Sequence, residues 1–178
     1  SLDAVIIAID GIVVIVHPDN PITDLTFGQL SDIYTGKIRN WKEAGGADSP
    51  IVVIGRDTAS GTRNAFEELL GISGQCTYGQ EKDSSGGIKI AVETTPEAIG
   101  YVSLEAAEAN QKTKKISLEG VEPSKEKIYT GEYFLSRPLL MVTRKGEQLQ
   151  PEAQSFLDYV LSDEGQEIIQ SQNLIPIT

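Results

Sequence analysis

Arg56, Ser60, Gly61 and Thr62 are the residues of this chain whose types and spacing suit chemistry, and that chemistry is the capture of an oxyanion. They sit in the stretch Ile51-Val52-Val53-Ile54-Gly55-Arg56-Asp57-Thr58-Ala59-Ser60-Gly61-Thr62-Arg63-Asn64-Ala65-Phe66-Glu67-Glu68-Leu69-Leu70. The four β-branched apolar residues leading into Gly55 predict a short buried strand that ends at a tight turn. Beyond it, Ala65, Phe66, Leu69 and Leu70 fall on one helical face and Arg63, Asn64, Glu67 and Glu68 on the other. A helix is therefore expected to begin within residues 60–62 and to stop at Gly71. A strand-to-helix turn aims unpaired N–H groups and the positive end of the helix dipole at one point. Gly61 allows close approach to the backbone, Ser60 and Thr62 add hydroxyl donors, and Arg56 supplies a planar, permanently charged fork. In the plainer alternative, Ser60 or Thr62 only caps the helix and Arg56 is a solvated charge.

Other chemistries find little support. A P-loop is excluded because the spacing from Gly55 to Gly61 is one residue too long and no Lys follows, and no Gly-x-Gly-x-x-Gly run marks a dinucleotide site. His17 is the only histidine; before Pro18 at a strand end it is expected to be structural. Sequence alone places no His or Lys to activate Ser60, so catalysis is not expected. Cys76 is the single cysteine, which rules out an intrachain disulfide and a cysteine-based metal site; no metal and no cofactor are expected.

The 178 residues suit one domain or slightly more, with 39% hydrophobic and 23% charged residues as in a globular protein. The formal net charge of -11 argues against a nucleic-acid partner. An anion would be repelled at long range and held by short-range N–H and Arg contacts, so its affinity should depend little on salt. No apolar run reaches membrane-span length and no charged leader opens the chain, which fits a cytosolic protein or one whose leader is absent from this sequence.

The elements that must position these residues read as an alternation of strands and helices, hence an α/β class. Residues 4–16 form an apolar run that predicts a strand buried on both faces, broken by Asp10-Gly11. Asp10, its one charge, is read as a turn former with Gly11, or alternatively as a ligand residue. Thr26-Phe27-Gly28-Gln29 is a capping-box pattern for a helix to Tyr34, closed by Gly36, with Trp41 packed at the edge of the core. Residues 73–87 read as a long surface loop, in which Ser84-Ser85-Gly86-Gly87 is either a surface turn or a second set of donors. A helix over residues 88–92, a strand over 99–104, a charged connection over 105–127 with a strand at 116–118, and a strand over 137–144 follow. Pro151 starts a helix to Leu161 and Ser162 caps another to Gln172, with Leu157, Val160, Leu161, Ile168 and Ile169 expected to be buried.

Six segments carry a resemblance. Asp10-Gly11-Ile12-Val13-Val14 with Pro18-Asp19-Asn20-Pro21, Leu30-Ser31-Asp32-Ile33-Tyr34-Thr35-Gly36-Lys37-Ile38 with Asn40-Trp41, Arg56 to Arg63, Ala98 to Ser103, Ser136-Arg137-Pro138-Leu139 and Leu161 to Gln166 are similar to the phosphate-binding proteins of bacterial phosphate ABC importers. The resemblance implies a two-lobed, type II periplasmic-binding-protein fold. In it, residues 1–16 are a crossing strand and the start of the second lobe, residues 17–136 the second lobe, and residues 137–178 a return strand with C-terminal helices of an incomplete first lobe. By resemblance, Arg56, Ser60, Gly61 and Thr62 are phosphate ligands, with Asp57 and Asp10 as supporting residues. Some family members brace the Arg with an Asp two places later; Thr58 stands there and Asp57 one place earlier, so the brace is open.

Family members also begin with a segment, about a third of the protein, that would precede Ser1. It supplies further Ser/Thr donors and the Asp that accepts a hydrogen bond from protonated phosphate. An N-terminally truncated chain is therefore expected, binding phosphate weakly or not at all alone, discriminating poorly against sulfate and self-associating through its uncovered surface. The implied partners are inorganic phosphate and an ABC transporter permease, and the implied location is extracytoplasmic. A binding protein for sulfate or molybdate, and an enzyme acting on a phosphoester, are the competing readings.

Overall fold

In the computed structural model, which describes residues 1–109, 111–172 and 174–177, strand β1 (Leu2–Val16) runs unbroken through Asp10 and Gly11. The turn expected at that dipeptide does not form. Gly11 instead leaves room for the end of the Ile128 side chain, whose Cδ1 would lie 2.3 Å from a Cβ at this position. The two halves of β1 have different neighbours. Residues 12–16 are fully buried in the main sheet, whereas residues 2–6 are mostly exposed in a ribbon.

After the Pro18–Pro21 turn, where Asn20 Oδ1 accepts the Ile22 N–H at 3.0 Å, come β2 (Asp24–Leu25) and α1 (Phe27–Tyr34). The capping box forms: Thr26 Oγ1 accepts the Gln29 N–H and Gln29 Oε1 accepts the Thr26 N–H. A short 3-10 turn, Trp41–Ala44, buries Trp41, whose Nε1 donates to the Glu97 carbonyl at 3.0 Å. Then follow β3 (Val52–Arg56), α2 (Gly61–Leu69), β4 (Gln80–Lys82), α3 (Ser85–Glu93), β5 (Ala98–Ser103) and α4 (Leu104–Glu108). The connection to β8 (Ser136–Arg144) contains β6 (Lys114–Lys115), β7 (Ser117–Leu118) and α5 (Lys125–Tyr129), and α6 (Pro151–Leu161) and α7 (Asp163–Ser171) end the chain.

The main sheet has the order β4-β3-β5-β1-β6, with β8 paired to β1 outside that path. Strands β3, β4 and β5 are mutually parallel, and β1 is antiparallel to β5, β6 and β8. Register sets where side chains meet. Val53 faces Ile99 and Val13 faces Val102, so Arg56, Ser103 and Asp10 all lie toward the same end of the sheet's strands. Asp10 faces Arg137 across β1 and β8.

Several elements differ from expectation. Strand β3 continues through Gly55 to Arg56 by parallel pairing with Glu81 and Lys82 of β4, and Gly55 lies under the Tyr78 ring, where a Cβ would sit 2.1 Å from Cε1. The loop expected over residues 73–87 contains β4 and the first turn of α3, whose N-cap Ser84 accepts the Gly87 N–H at 3.1 Å. In the C-terminal pair, Leu157 is buried but Ile168 is 50% exposed. The inward positions are Gly165, where a Cβ would meet the Tyr159 carbonyl at 2.1 Å, and Gln166, which donates to the Ile7 and Val160 carbonyls and accepts from the Ile177 N–H.

Helix α2 reverses part of its expected polarity as well. Glu67 is buried, and its Oε1 accepts from Arg63 Nε at 2.8 Å and from Tyr78 Oη at 2.9 Å, while Oε2 accepts the Gly74 N–H at 3.2 Å. Arg63 also donates to the Arg56 carbonyl at 2.8 Å and to Glu81, and its guanidinium lies 4.6 Å from the Tyr78 ring centroid. Beneath them Phe66 stacks on Tyr101 at 4.1 Å. This brace ties α2 to the end of β3, and it explains why a charged pair turns inward: each buried polar atom has a partner.

Two outcomes are expected. Gly55→Ala should destabilise the chain by about 1–3 kcal/mol, measured by urea denaturation, because the rigid Tyr78 ring must move. Burial alone would raise the Glu67 carboxyl, but its donors from Tyr78, Arg63 and Gly74 outweigh burial and hold it below the usual glutamate value. A lowered native value contributes stability above the unfolded value of about 4.3, and that contribution is lost as pH falls through the native value. Glu67→Gln should therefore lose about 1–3 kcal/mol at pH 7 and show a shallower acid-induced fall in melting temperature than the parent chain.

Candidate functional site

Residues 57–60 turn the chain from β3 into α2. Asp57 Oδ1 accepts the Ala59 N–H at 2.9 Å and the Asp57 carbonyl accepts the Ser60 N–H at 3.2 Å, a side-chain turn that sets the direction of the helix. Asp57 thus shapes the loop. No bond from it to the Arg56 guanidinium is seen among the described residues.

Ser60 is the N-cap, buried, with its Oγ accepting the Arg63 N–H at 3.2 Å. Capping uses an oxygen lone pair and leaves the hydroxyl proton free to donate, so the capping and ligand readings of Ser60 are compatible. Gly61 and Thr62 are the first helical residues, and helix geometry leaves their N–H groups without intrahelical acceptors. Gly61 is exposed, so its backbone is open to a ligand.

The Arg56 guanidinium reaches the start of α3. Its Nη1 donates to Ser85 Oγ at 3.3 Å and its Nη2 to the Asp83 carbonyl at 3.1 Å, which ties it to the first turn of α3. Its backbone N–H reaches Tyr101 Oη at 3.3 Å. The Nε atom is buried with no hydrogen-bond partner among the described residues. Of the stretch Ser84-Ser85-Gly86-Gly87, Ser85 thus does meet the site, through Arg56.

Arg137 is the residue that the sequence reading missed. Its Nη2 donates to Asp10 Oδ2 at 3.2 Å and to Thr62 Oγ1 at 3.4 Å, its Nε lies 3.4 Å from the same Asp10 oxygen, and its Nη1 would stand 3.1 Å from a Cβ on Gly61. Asp10, Gly61 and Thr62 are therefore gathered around one guanidinium, while Arg56 sits with Ser85. Burial raises the Asp10 carboxyl above its usual range, and the Arg137 charge offsets this only in part. A signal for Arg137 existed: a lone Asp in an apolar strand needs a cation, and Arg137 lies in a segment already singled out for its resemblance.

The remaining candidates have structural settings. His17 Nδ1 accepts the Asp19 N–H at 3.1 Å within a turn. Burial pushes the Cys76 thiol up to about 11, which makes it a poor nucleophile. Among the described residues no three His, Cys, Asp or Glu side chains are grouped to hold a metal ion, and no helix is long and apolar enough to cross a membrane.

Known proteins share this arrangement of elements. The phosphate-binding protein PstS of Bacillus subtilis is 36% identical over 173 residues, covering 97% of this chain and 57% of that protein. The PstS of Borreliella burgdorferi is 30% identical over 182 residues, with 65% of its length covered. The chain thus spans less than two thirds of these curated relatives. A crystal structure described as a phosphate ABC transporter substrate-binding protein with bound phosphate, from Clostridium perfringens, is 43% identical with a TM-score of 0.86, covering 99% of this chain and 72% of that one. An ABC-type phosphate transport receptor from Vibrio cholerae is 30% identical with a TM-score of 0.89, covering 98% and 72%. A family model described as a PBP superfamily domain matches residues 2–164, from the start of β1 into α7. The chain belongs to this superfamily and has the type II periplasmic-binding-protein fold.

Proposed function

We propose that this chain is the larger part of a receptor that binds inorganic phosphate for an ABC importer. In this reading the Gly61 and Thr62 N–H groups, the Ser60 and Thr62 hydroxyls and Arg56 hold the oxyanion. Two observations carry it: the open N-terminus of α2 and, at the end of the strand that leads into it, a buried Arg56 Nε donor that has no partner among the described residues. An unsatisfied buried donor costs about 1–3 kcal/mol, which an oxyanion at this turn would relieve. The names of the relatives supply the choice of phosphate.

Residues 17–136 form the second lobe, residues 1–16 lead into it, and residues 137–178 return to the first lobe. The protein works outside the cytoplasm beside a membrane permease, and it binds without turning its ligand over. Because the chain matches only part of its relatives' length, the other wall of the ligand cleft is assigned to the unmatched part. Alone, this chain binds phosphate weakly.

The test is thermal melting in increasing phosphate, sulfate or molybdate, since a ligand of the native state raises the melting temperature by mass action. Phosphate should give a shift that appears only at high concentration, and Arg56→Ala should remove it. A larger shift with sulfate or molybdate would transfer the reading to that anion, and no shift with any of them would overturn it. Tight phosphate binding that excess sulfate leaves intact would overturn the claim of weak binding.

Self-association is proposed from the ribbon. One face of β1 and β8 presents Leu2, Ala4 and Ile6 beside Leu140 and Val142, paired Ile6 to Leu140 and Ala4 to Val142, and all five are exposed. Sedimentation velocity should show a concentration-dependent dimer that Ile6→Lys with Val142→Lys returns to monomer; a monomer at all concentrations would refute it.

A further inference from the structure

Arg137 plays no part in the reading above, yet it is the cation that touches the open end of α2. Its Nη2 lies 3.4 Å from Thr62 Oγ1, and its Nη1 borders the Gly61 backbone. We propose that Arg137 is a second guanidinium of the anion site and that Asp10 is its internal counter-anion, which the bound ligand displaces. This inference rests on the phosphate reading.

The contacts between the two side chains are loose. Charge-assisted N–H···O bonds usually measure about 2.7–2.9 Å, whereas Arg137 lies 3.2 and 3.4 Å from Asp10 Oδ2, with both donors sharing that oxygen. The second carboxylate oxygen takes no part in the pair. Exposure is unequal: the Arg137 side chain is 26% accessible and that of Asp10 only 8%, so the guanidinium faces the open side and the carboxylate faces the interior. Burial and the neighbouring charge of Glu105 both disfavour the ionised carboxylate, and Arg137 offsets them only in part.

An oxyanion at Gly61 and Thr62 would offer Arg137 several acceptor oxygens in place of one. Asp10 then acts as a threshold. A ligand must outcompete a carboxylate already in place, which multiply charged tetrahedral oxyanions achieve better than chloride or a monocarboxylate. Because Asp10 is on β1 and Arg137 faces it on β8, the exchange also changes a contact that joins the ribbon to α2.

The experiment is an amide-resolved NMR titration of the 178-residue chain with inorganic phosphate, followed at Gly61 and Thr62. Arg137→Gln should weaken binding at least tenfold, in keeping with the loss of a charged hydrogen bond. Arg137→Lys, which keeps the charge and guards against a folding defect, should fall between that variant and the parent chain. Asp10→Asn should strengthen binding several-fold, and it should have no effect in the Arg137→Gln background. Parent-like affinity in both Arg137 variants would overturn this inference while leaving the phosphate reading intact. Weakening by Asp10→Asn would make Asp10 a positioning residue and overturn displacement. Absence of any phosphate-dependent change at Gly61 and Thr62 in the parent chain would overturn both.

Discussion

The architecture depends on the backbone pairing of one strand. Over residues 2–11 β1 pairs with β8, over residues 12–16 it pairs with β5 and at Ile15 and Val16 also with β6, so a single extended segment belongs to a ribbon and to a buried sheet. The register shift between Ile6 and Ala8 marks the change in the pleat. Because the side-chain period of a strand is two, a slip of one residue would turn Asp10 away from Arg137 and exchange the two faces of the ribbon half of β1. Long-range pairing on β1 therefore determines where the charged end of the sheet lies.

On that frame, two polar clusters of opposite character flank the start of α2. The inner one, Arg63 with Glu67, Tyr78 and Glu81, is closely bonded and holds the helix against β3. The outer one, Arg137 with Asp10 and Thr62, has longer contacts and faces solvent on one side. A chain of net charge -11 has no long-range attraction for anions to exploit. Recognition at this end has to come from donors within hydrogen-bonding reach, and a rigid inner cluster beneath a looser outer one meets that need.

Local patterns in the sequence foretold local structure well. The Thr26–Gln29 capping box, Ser60 as the N-cap, Pro151 in a first helical turn and the β5 strand are determined within a few residues, and all form. Long-range packing determined the positions that were misread. Gly11 and Gly55 looked like turn glycines, but each is small because a side chain distant in sequence, Ile128 or Tyr78, rests on its backbone. Glu67 looked solvated because no local signal indicates that Arg63, Tyr78 and the Gly74 N–H converge on it. Arg137 differs: the lone Asp10 in an apolar strand implied a cation, but only the fold identifies which one, because the partners of Arg137 lie on β1 and α2.

The C-terminal tail has a role out of proportion to its length. Ile175 forms an antiparallel bridge with Ile9, exchanging both backbone hydrogen bonds, and the Ile177 N–H is anchored to Gln166. The last turns of the chain thus seal the side of β1 just before Asp10. A protease that clipped this tail would leave bare N–H and C=O groups there, an adhesive margin onto which the extended segment of another molecule could zip.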